Sequence, residues 1–372
     1  MSREKTYILM CADNEVGRIG KTTNYKWSIK NKHLIPKALN TADDGAIIKD
    51  EEFHYMYPRF TSWLVNRTLS LSRSNVKALL RLFKFEQTEA QENKVKIALM
   101  FRAINLIDSF WLKESTENLT WKDVNLRVNP LAEIVSQVAL TGRLIPLQPD
   151  ISKSTAEMMT LGMAGKGWFR ENGQIYLHKK SVGNGDEVNR EVCASKVIDC
   201  FNVYGNLKYE LSSKYGENTS RCELMATEEK SIVPAYDMML WCKRNNIDFM
   251  QFINDSYIKE YSQMAVIDYL IANYDRHEWN WGFYQDTVTG EITGMHELYD
   301  HNQAFNDDYL ENEDLESLLN PDFSQKDLAW RYLPASRLSL ITVPAIEMFP
   351  NKNAYDVFKR RCNQLNLWNV GE

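Results

Sequence analysis

Three polar residues in the last third of the chain, Asp275, Asn280 and Asp300, have the types and spacing that phosphoryl transfer uses. An acid is followed five residues on by an amide and, twenty residues beyond that, by a second acid. A short apolar run (Trp281 to Tyr284), a turn at Thr289 and Gly290, and a second short strand lie between the amide and the second acid. In that order the first carboxylate can accept or orient a hydroxyl proton. The amide oxygen and the second carboxylate are hard ligands of the kind that suit Mg²⁺. Asp, Asn and Gly also punctuate ordinary turns, so the spacing alone does not decide the matter. The helix expected before the loop weighs towards chemistry. Its Tyr257, Tyr261, Met264, Ile267, Leu270 and Ile271 make a face to bury, which sets the polar loop at the end of a packed element.

A second group of residues has the types needed to hold an anion. From Thr160 the chain reads TLGMAGKGWFRENGQIYLHKK, with Gly162, Gly165 and Gly167 between two candidate strands and a hairpin signal at Asn172 and Gly173. Glycines let backbone N–H groups approach phosphate oxygens closely. The run is neither a G-x-x-x-x-G-K-[ST] loop nor G-x-G-x-x-G, and taken alone it reads equally well as a turn. On the strand Gln174 to Lys179, alternation places Ile175, Leu177 and Lys179 on one face. A buried ammonium needs an anionic partner. Glu191, on the helix expected from Glu187 to Cys200, would supply one, as would nucleotide phosphates; a register shift of one residue would turn Lys180 inward instead.

The elements that must position these groups are legible in outline. Residues 6 to 12 with Asn14 and Gly17 predict a strand entering a turn, and Ser74 can cap a helix carrying Val76, Leu79, Leu80 and Phe83. Helices are also expected over 94–101 and 131–140, with Trp111 and Trp121 read as packing residues. Two prolines in 141–150 suggest a linker and a boundary near 150. Two further strands are expected around 207–213 and 221–226, the second where a connector between lobes would run, with backbone near Glu223 and Met225 able to bond an adenine edge. Pro234 suits the first turn of a helix reaching about Trp241. Residues 307–318 are acid-rich and read as a solvated face, and the segment after Leu328 as helices separated by prolines 334, 344 and 350.

Composition sets the class. The chain has 372 residues, 44% hydrophobic and 25% charged, and a net charge of −6, which fits globular structure and gives no general attraction to nucleic acid or anionic membrane. Six cysteines without a C-x-x-C pair argue against a disulfide framework or zinc site and for reduced thiols in a cytosol. No signal peptide and no apolar run of membrane-spanning length is seen, so a cytoplasmic location is expected.

The order TLGMAGKGW, YLHKK, EVNREVCASKV, RCELMA, NYDRHEWN and LYDHNQAF resembles the HipA-like serine/threonine kinases, the family of bacterial toxin and persistence kinases. The likeness covers roughly residues 155–310, and more loosely the first 145 through TSWLVNR, LSRSN and DSFWLK. It implies an α/β, two-lobed protein-kinase-like fold with an extra N-terminal subdomain. Residues 1–150 would form that subdomain, 151–232 the ATP-binding lobe and 233–372 a helical lobe with catalytic and metal-binding loops.

It further implies ATP and Mg²⁺ as cofactors and a protein Ser/Thr hydroxyl as acceptor. Asp275 would be the catalytic aspartate, with Asn280 and Asp300 on the metal. Lys179 would contact ATP phosphates with Glu191 as its helical partner, Glu223 and Met225 would hold adenine, and Gly162 and Gly165 would belong to the phosphate loop. His277 would serve a structural hydrogen bond. Thr160 stands where relatives carry the hydroxyl whose autophosphorylation silences the enzyme, and an antitoxin-like partner and toxin-like role come with the family. Two rival readings remain: a nucleotide-binding pseudokinase that serves as an interaction module, and a metal-dependent hydrolase using His277, His296, His301 and Asp300, although no HExxH is present.

Overall fold

The computed structural model describes residues 6–20, 26–39, 59–88, 90–145, 154–182 and 185–368. The second half of the expected linker at 141–150, and the boundary placed near 150, lie outside the described residues.

Strands β1 (Thr6–Cys11), β2 (Asn14–Gly20), β3 (Lys26–Ile29) and β4 (Phe110–Glu114) form an antiparallel sheet in the order β3-β2-β1-β4. Alternation along β1 and β4 gives this sheet two buried faces. Leu9, Cys11, Phe110 and Leu112 enter an N-terminal core with the helices α1 (Val76–Leu82), α2 (Gln91–Met100) and α4 (Glu133–Thr141). Ile8, Met10 and Trp111 point the other way, joining Trp121 from the single turn α3 (Trp121–Val124) with Trp168, Ile175 and Leu177 of the next sheet. Trp111 and Trp121 are packing residues, their rings 6.5 Å apart. The start of α1 differs from expectation: Asn75, in a left-handed conformation, precedes it, and its side chain reaches back to the Ala139 and Leu140 carbonyls rather than capping the helix.

The second sheet, β5 (Lys166–Glu171), β6 (Gln174–Lys179), β7 (Glu210–Lys214) and β8 (Glu217–Glu223), is antiparallel in the order β5-β6-β8-β7. Helix α5 (Glu187–Ile198) presents Val192 to it and sends Ala194, Val197 and Ile198 into the core of the following lobe. Residues 224–229 then cross to β9 (Lys230–Pro234), which pairs with β10 (Gly282–Asp286) beside β11 (Ile292–Met295). A strand with this pairing belongs to the C-terminal lobe.

That lobe is built on α6 (Ala235–Arg244), α7 (Phe249–Ser256) and α8 (Ile258–Leu270), followed by the short hairpin β12 (Glu316–Ser317) and β13 (Asn320–Ser324), α9 (Gln325–Ser336) and α10 (Lys352–Gln364). Every residue of α8 from Tyr261 to Leu270 is buried, which marks it as the central helix. Pro334 lies within the last turns of α9, so it does not separate helices as its position suggested. The acidic stretch after Asp307 is largely solvent-facing, with Glu311 and Glu313 paired to Arg360. The cysteines are unbridged, and no helix among the described residues is long and apolar enough to cross a membrane. The architecture is a two-lobed, kinase-like α/β fold with an added N-terminal sheet subdomain.

Candidate active site

Lys179 closes β6, the strand flanked by β5 and β8, opposite Lys166 on one side and Ser220 on the other. Its ammonium lies 2.7 Å from Glu191 Oε1 and 2.8 Å from Asp300 Oδ1. Ser220 Oγ donates to the other Glu191 oxygen at 2.5 Å, so β6, β8 and α5 together satisfy that buried carboxylate. Burial alone would discharge Lys179, but Asp300 and Glu191 outweigh it and raise its pKa. Asp300 shows the converse: burial pushes its pKa up, and Lys179 and Lys166 more than reverse this and hold it well below the usual carboxylate range. Lys180 points elsewhere, towards Glu217 at 3.5 Å, while its backbone N–H donates to Gly165.

The loop carrying Asp275 and Asn280 is assembled by a residue to which no sequence signal gave a role. Arg276 is 2% exposed, and its guanidinium donates through Nε and Nη2 to both oxygens of Asp268 at 2.9 Å. Nη1 donates to the carbonyls of Asn280 at 2.7 Å and Tyr299 at 2.6 Å. One side chain thus ties the end of α8 to the loop carrying Asp275 and Asn280 and to the segment carrying Asp300. An Asp at position 268 of an otherwise buried helix was the available sign, since a carboxylate there requires a cation. Asn280 Nδ2 donates to the Asp275 carbonyl at 2.8 Å, which fixes the amide plane. Among the described residues, no hydrogen bond uses Asn280 Oδ1 or Asp300 Oδ2. Asp300 has φ of 58°, a left-handed conformation that Asp tolerates better than most residues. Burial raises the pKa of Asp275, with His277 drawing it back and Asp300 adding to the rise. His277 Nδ1 accepts from the Trp279 N–H at 3.2 Å.

Around the glycine-bearing loop, Gly162 has φ of 93° and therefore needs to be glycine. A Cβ at Gly165 would fall 2.9 Å from the ends of the Asn75 and Lys180 side chains and 3.1 Å from the Leu140 carbonyl oxygen, so those neighbours would have to shift to admit one. Thr160 Oγ1 donates to the Ala156 carbonyl at 2.7 Å and accepts from Trp168 Nε1 at 3.1 Å. Lys166, just beyond the loop, is buried, and burial lowers its ammonium to about 8, with Lys179 adding to the fall. No sequence signal gave Lys166 a role of its own, and a lysine opening a β-strand beside glycines is its one local sign. Glu223 accepts from the Tyr176 hydroxyl at 3.0 Å, and Met225 is half-buried in the connector between the lobes.

The three histidines do not converge. His296 is buried, pushed down to about 4 by desolvation, and its Nδ1 lies 2.8 Å from the Glu297 carbonyl. His301 sits against Arg276 at 3.2 Å. Among the described residues no group of three His, Cys, Asp or Glu side chains is arranged to hold a metal ion, so a histidine-built metal centre has no geometric support.

A family model described as phosphatidylinositol 3- and 4-kinase matches residues 155–314, less than half of the chain. A crystal structure of the Helicobacter pylori proinflammatory kinase CtkA is 13% identical, covers 54% of this chain and 90% of its own, and superposes with a TM-score of 0.37. The toxin–antitoxin complex of HipA, HipB and operator DNA from Shewanella oneidensis MR-1 is also 13% identical, with 96% of this chain and 95% of that one covered and a TM-score of 0.47. No curated protein sequence matches. The similarity is to kinase superfamily members, at low identity.

Proposed function

We propose that the chain is an ATP- and Mg²⁺-dependent serine/threonine protein kinase that transfers the γ-phosphoryl group to a protein hydroxyl. The observation that carries this reading is the Lys179 ammonium bridging Glu191 and Asp300, because it joins sheet, helix and C-terminal lobe around one charge. Phosphoryl transfer needs little covalent help from the protein and much positioning and charge. Lys179 would supply positive charge to phosphate oxygens, and the glycine-bearing loop with Gly162 and Gly165 would lie over them. Glu223 and Met225 lie on the stretch from β8 into the connector, where backbone groups can meet adenine. Asp275 would orient the acceptor hydroxyl and take its proton as the new O–P bond forms and the β–γ bridging bond breaks, releasing ADP.

Asp300 Oδ2 and Asn280 Oδ1 are oxygen donors with no other use among the described residues, and they fit Mg²⁺ completed by water and phosphate oxygens. When bound, the ion neutralises charge on those oxygens. Phosphorylation of Thr160 would break both of its hydrogen bonds and displace the start of the loop, so self-modification would be inhibitory. An antitoxin-like partner and a toxin-like role enter only through the family resemblance.

The test is incubation with labelled ATP and Mg²⁺, with protein from cell lysate and, separately, phosphatidylinositol vesicles as acceptors, followed by mass spectrometry of every modified site. Label on Ser or Thr that disappears in Asp275→Asn supports the reading. Label only on lipid, or tight ATP binding with no product, overturns it.

A further inference from the structure

We propose that the N-terminal subdomain sets the position of the connector between the lobes, and that Glu228 is the positioning residue through which it does so. The inference rests on the kinase reading, in which the adenine of ATP meets that connector. Residues 224–229 form no helix or strand, so their contacts alone fix where their backbone lies. Glu228 supplies three of those contacts. Its Oε1 accepts from Asn125 Nδ2 at 2.9 Å and from Arg127 Nε at 3.0 Å, and its Oε2 accepts from Trp121 Nε1 at 3.0 Å. All three donors come from α3 and the turn that follows it.

The donors are fixed independently of the carboxylate. Arg127 spends Nη1 on the Leu106 and Asp108 carbonyls at 3.1 Å and Nη2 on the Ser109 hydroxyl at 2.6 Å, which leaves Nε for Glu228. The Trp121 backbone N–H donates to Asp13 at 2.7 Å, and Asn125 Oδ1 accepts from the Arg127 N–H at 2.9 Å. Trp121 and Asn125 are buried, whereas the Glu228 side chain is 42% exposed. A carboxylate with access to water that turns inward to rigid donors gives up rotamer freedom in exchange for a defined position.

The ends of the connector are tied to different bodies. The Leu224 N–H donates to the Ile175 carbonyl in β6, and the Thr287 N–H of the C-terminal lobe donates to the Glu229 carbonyl, both at 2.9 Å. Between these anchors no described residue accepts from the N–H of Met225 or Ala226. Glu228 therefore ties the stretch that presents those groups to the N-terminal subdomain, so a ligand held there is sensitive to that subdomain.

Glu228→Ala tests this against a merely structural role. Adenosine reads the connector without the phosphates, inorganic tripolyphosphate reads the phosphates without the connector, and both are titrated into the full chain by calorimetry. The expected result is a loss of about 5- to 50-fold for adenosine with tripolyphosphate unchanged. KM for ATP should rise in step with the adenosine loss while kcat at saturating ATP is kept. Glu228→Gln, whose carbonyl oxygen can still accept from Asn125 and Arg127, should recover part of the adenosine affinity. Arg102→Met is the control: it breaks the pair with Glu117 at 2.7 Å inside the N-terminal subdomain and should leave adenosine binding as in wild type.

Unchanged adenosine affinity in Glu228→Ala overturns the inference, whatever happens to the melting temperature, and so does an equal loss in Arg102→Met. If the wild-type chain transfers phosphate and Glu228→Ala binds adenosine normally, the inference falls and the kinase reading stands. If adenosine binding depends on Glu228 but no transfer occurs, the kinase reading falls and the role of Glu228 stands. A wild-type chain that binds no adenosine removes the inference.

Discussion

Arg73 and Glu157 form an ion pair at 2.9 Å with both side chains wholly buried, which joins the N-terminal subdomain to the loop that leads into the second sheet. The same guanidinium donates to the carbonyls of Glu157 at 2.7 Å, Thr160 at 3.2 Å and Lys166 at 2.7 Å. Glu157 in turn accepts from the Trp168 N–H at 2.7 Å. Both ends of the glycine-bearing loop are therefore held by one residue from outside the lobe, and Ser74 adds a backbone hydrogen bond to Met163 at 2.7 Å.

Removing Arg73 should cost more than the pair itself contributes, because it strands a buried carboxylate. Arg73→Met is expected to lose about 3–5 kcal/mol of stability and to raise KM for ATP, as the loop is no longer held at both ends. Arg73→Met with Glu157→Gln should recover much of the stability but not the KM. Thermal melts and steady-state kinetics on the two variants check this, and strictly additive losses would count against the clamp.

Asp275 and Asp300 should separate in their effects. Asp275→Asn is expected to lower kcat by about 10²- to 10⁴-fold and leave ATP affinity close to wild type. Asp300→Asn should weaken Mg²⁺-dependent nucleotide binding as well, which titration with and without magnesium would read. A purified Asp275→Asn protein with normal phosphate incorporation would remove Asp275 from its role.

Arg276 is a positioning residue for both loops, and a lysine cannot reproduce its fork. Arg276→Lys keeps the charge but loses the paired contacts to Asp268 and the bonds to the Asn280 and Tyr299 carbonyls. The expected outcome is a fall of about 2–4 kcal/mol in stability together with loss of Mg²⁺-nucleotide affinity. Normal magnesium dependence in a folded Arg276→Lys protein would contradict it.

Stability should fall with rising pH through one identifiable group. Asp237, half-buried near the start of α6, has its pKa pushed up to about 7 by burial, with Arg67 drawing it back and Asp108 adding to the rise. Between the ordinary carboxylate value of about 4 and this folded value, the folded chain holds a proton that the unfolded chain releases. Its contribution is therefore most favourable at acid pH, declines as pH rises, and levels off above about 7. Asp237→Asn should match wild type near pH 4 and melt several degrees higher above pH 7. A constant difference across that range would show that Asp237 is not the group responsible.

What the sequence by itself determined was the order of chemical types and the local elements that hold them. Alternation put Lys179 on the apolar face of β6, heptad-like spacing made α8 a buried helix, and glycines at 162 and 165 marked a loop needing close backbone approach. These follow from interactions a few residues apart, which periodicity records.

Only the tertiary structure decided which distant groups meet. Nothing local says that Asp300 lies 2.8 Å from a lysine 121 residues earlier, that Arg73 reaches across to Glu157, or that Arg276 gathers Asp268, Asn280 and Tyr299. Such contacts depend on how separate sheets and helices dock to bury their apolar faces, and that docking sets which polar groups are shut away from water together.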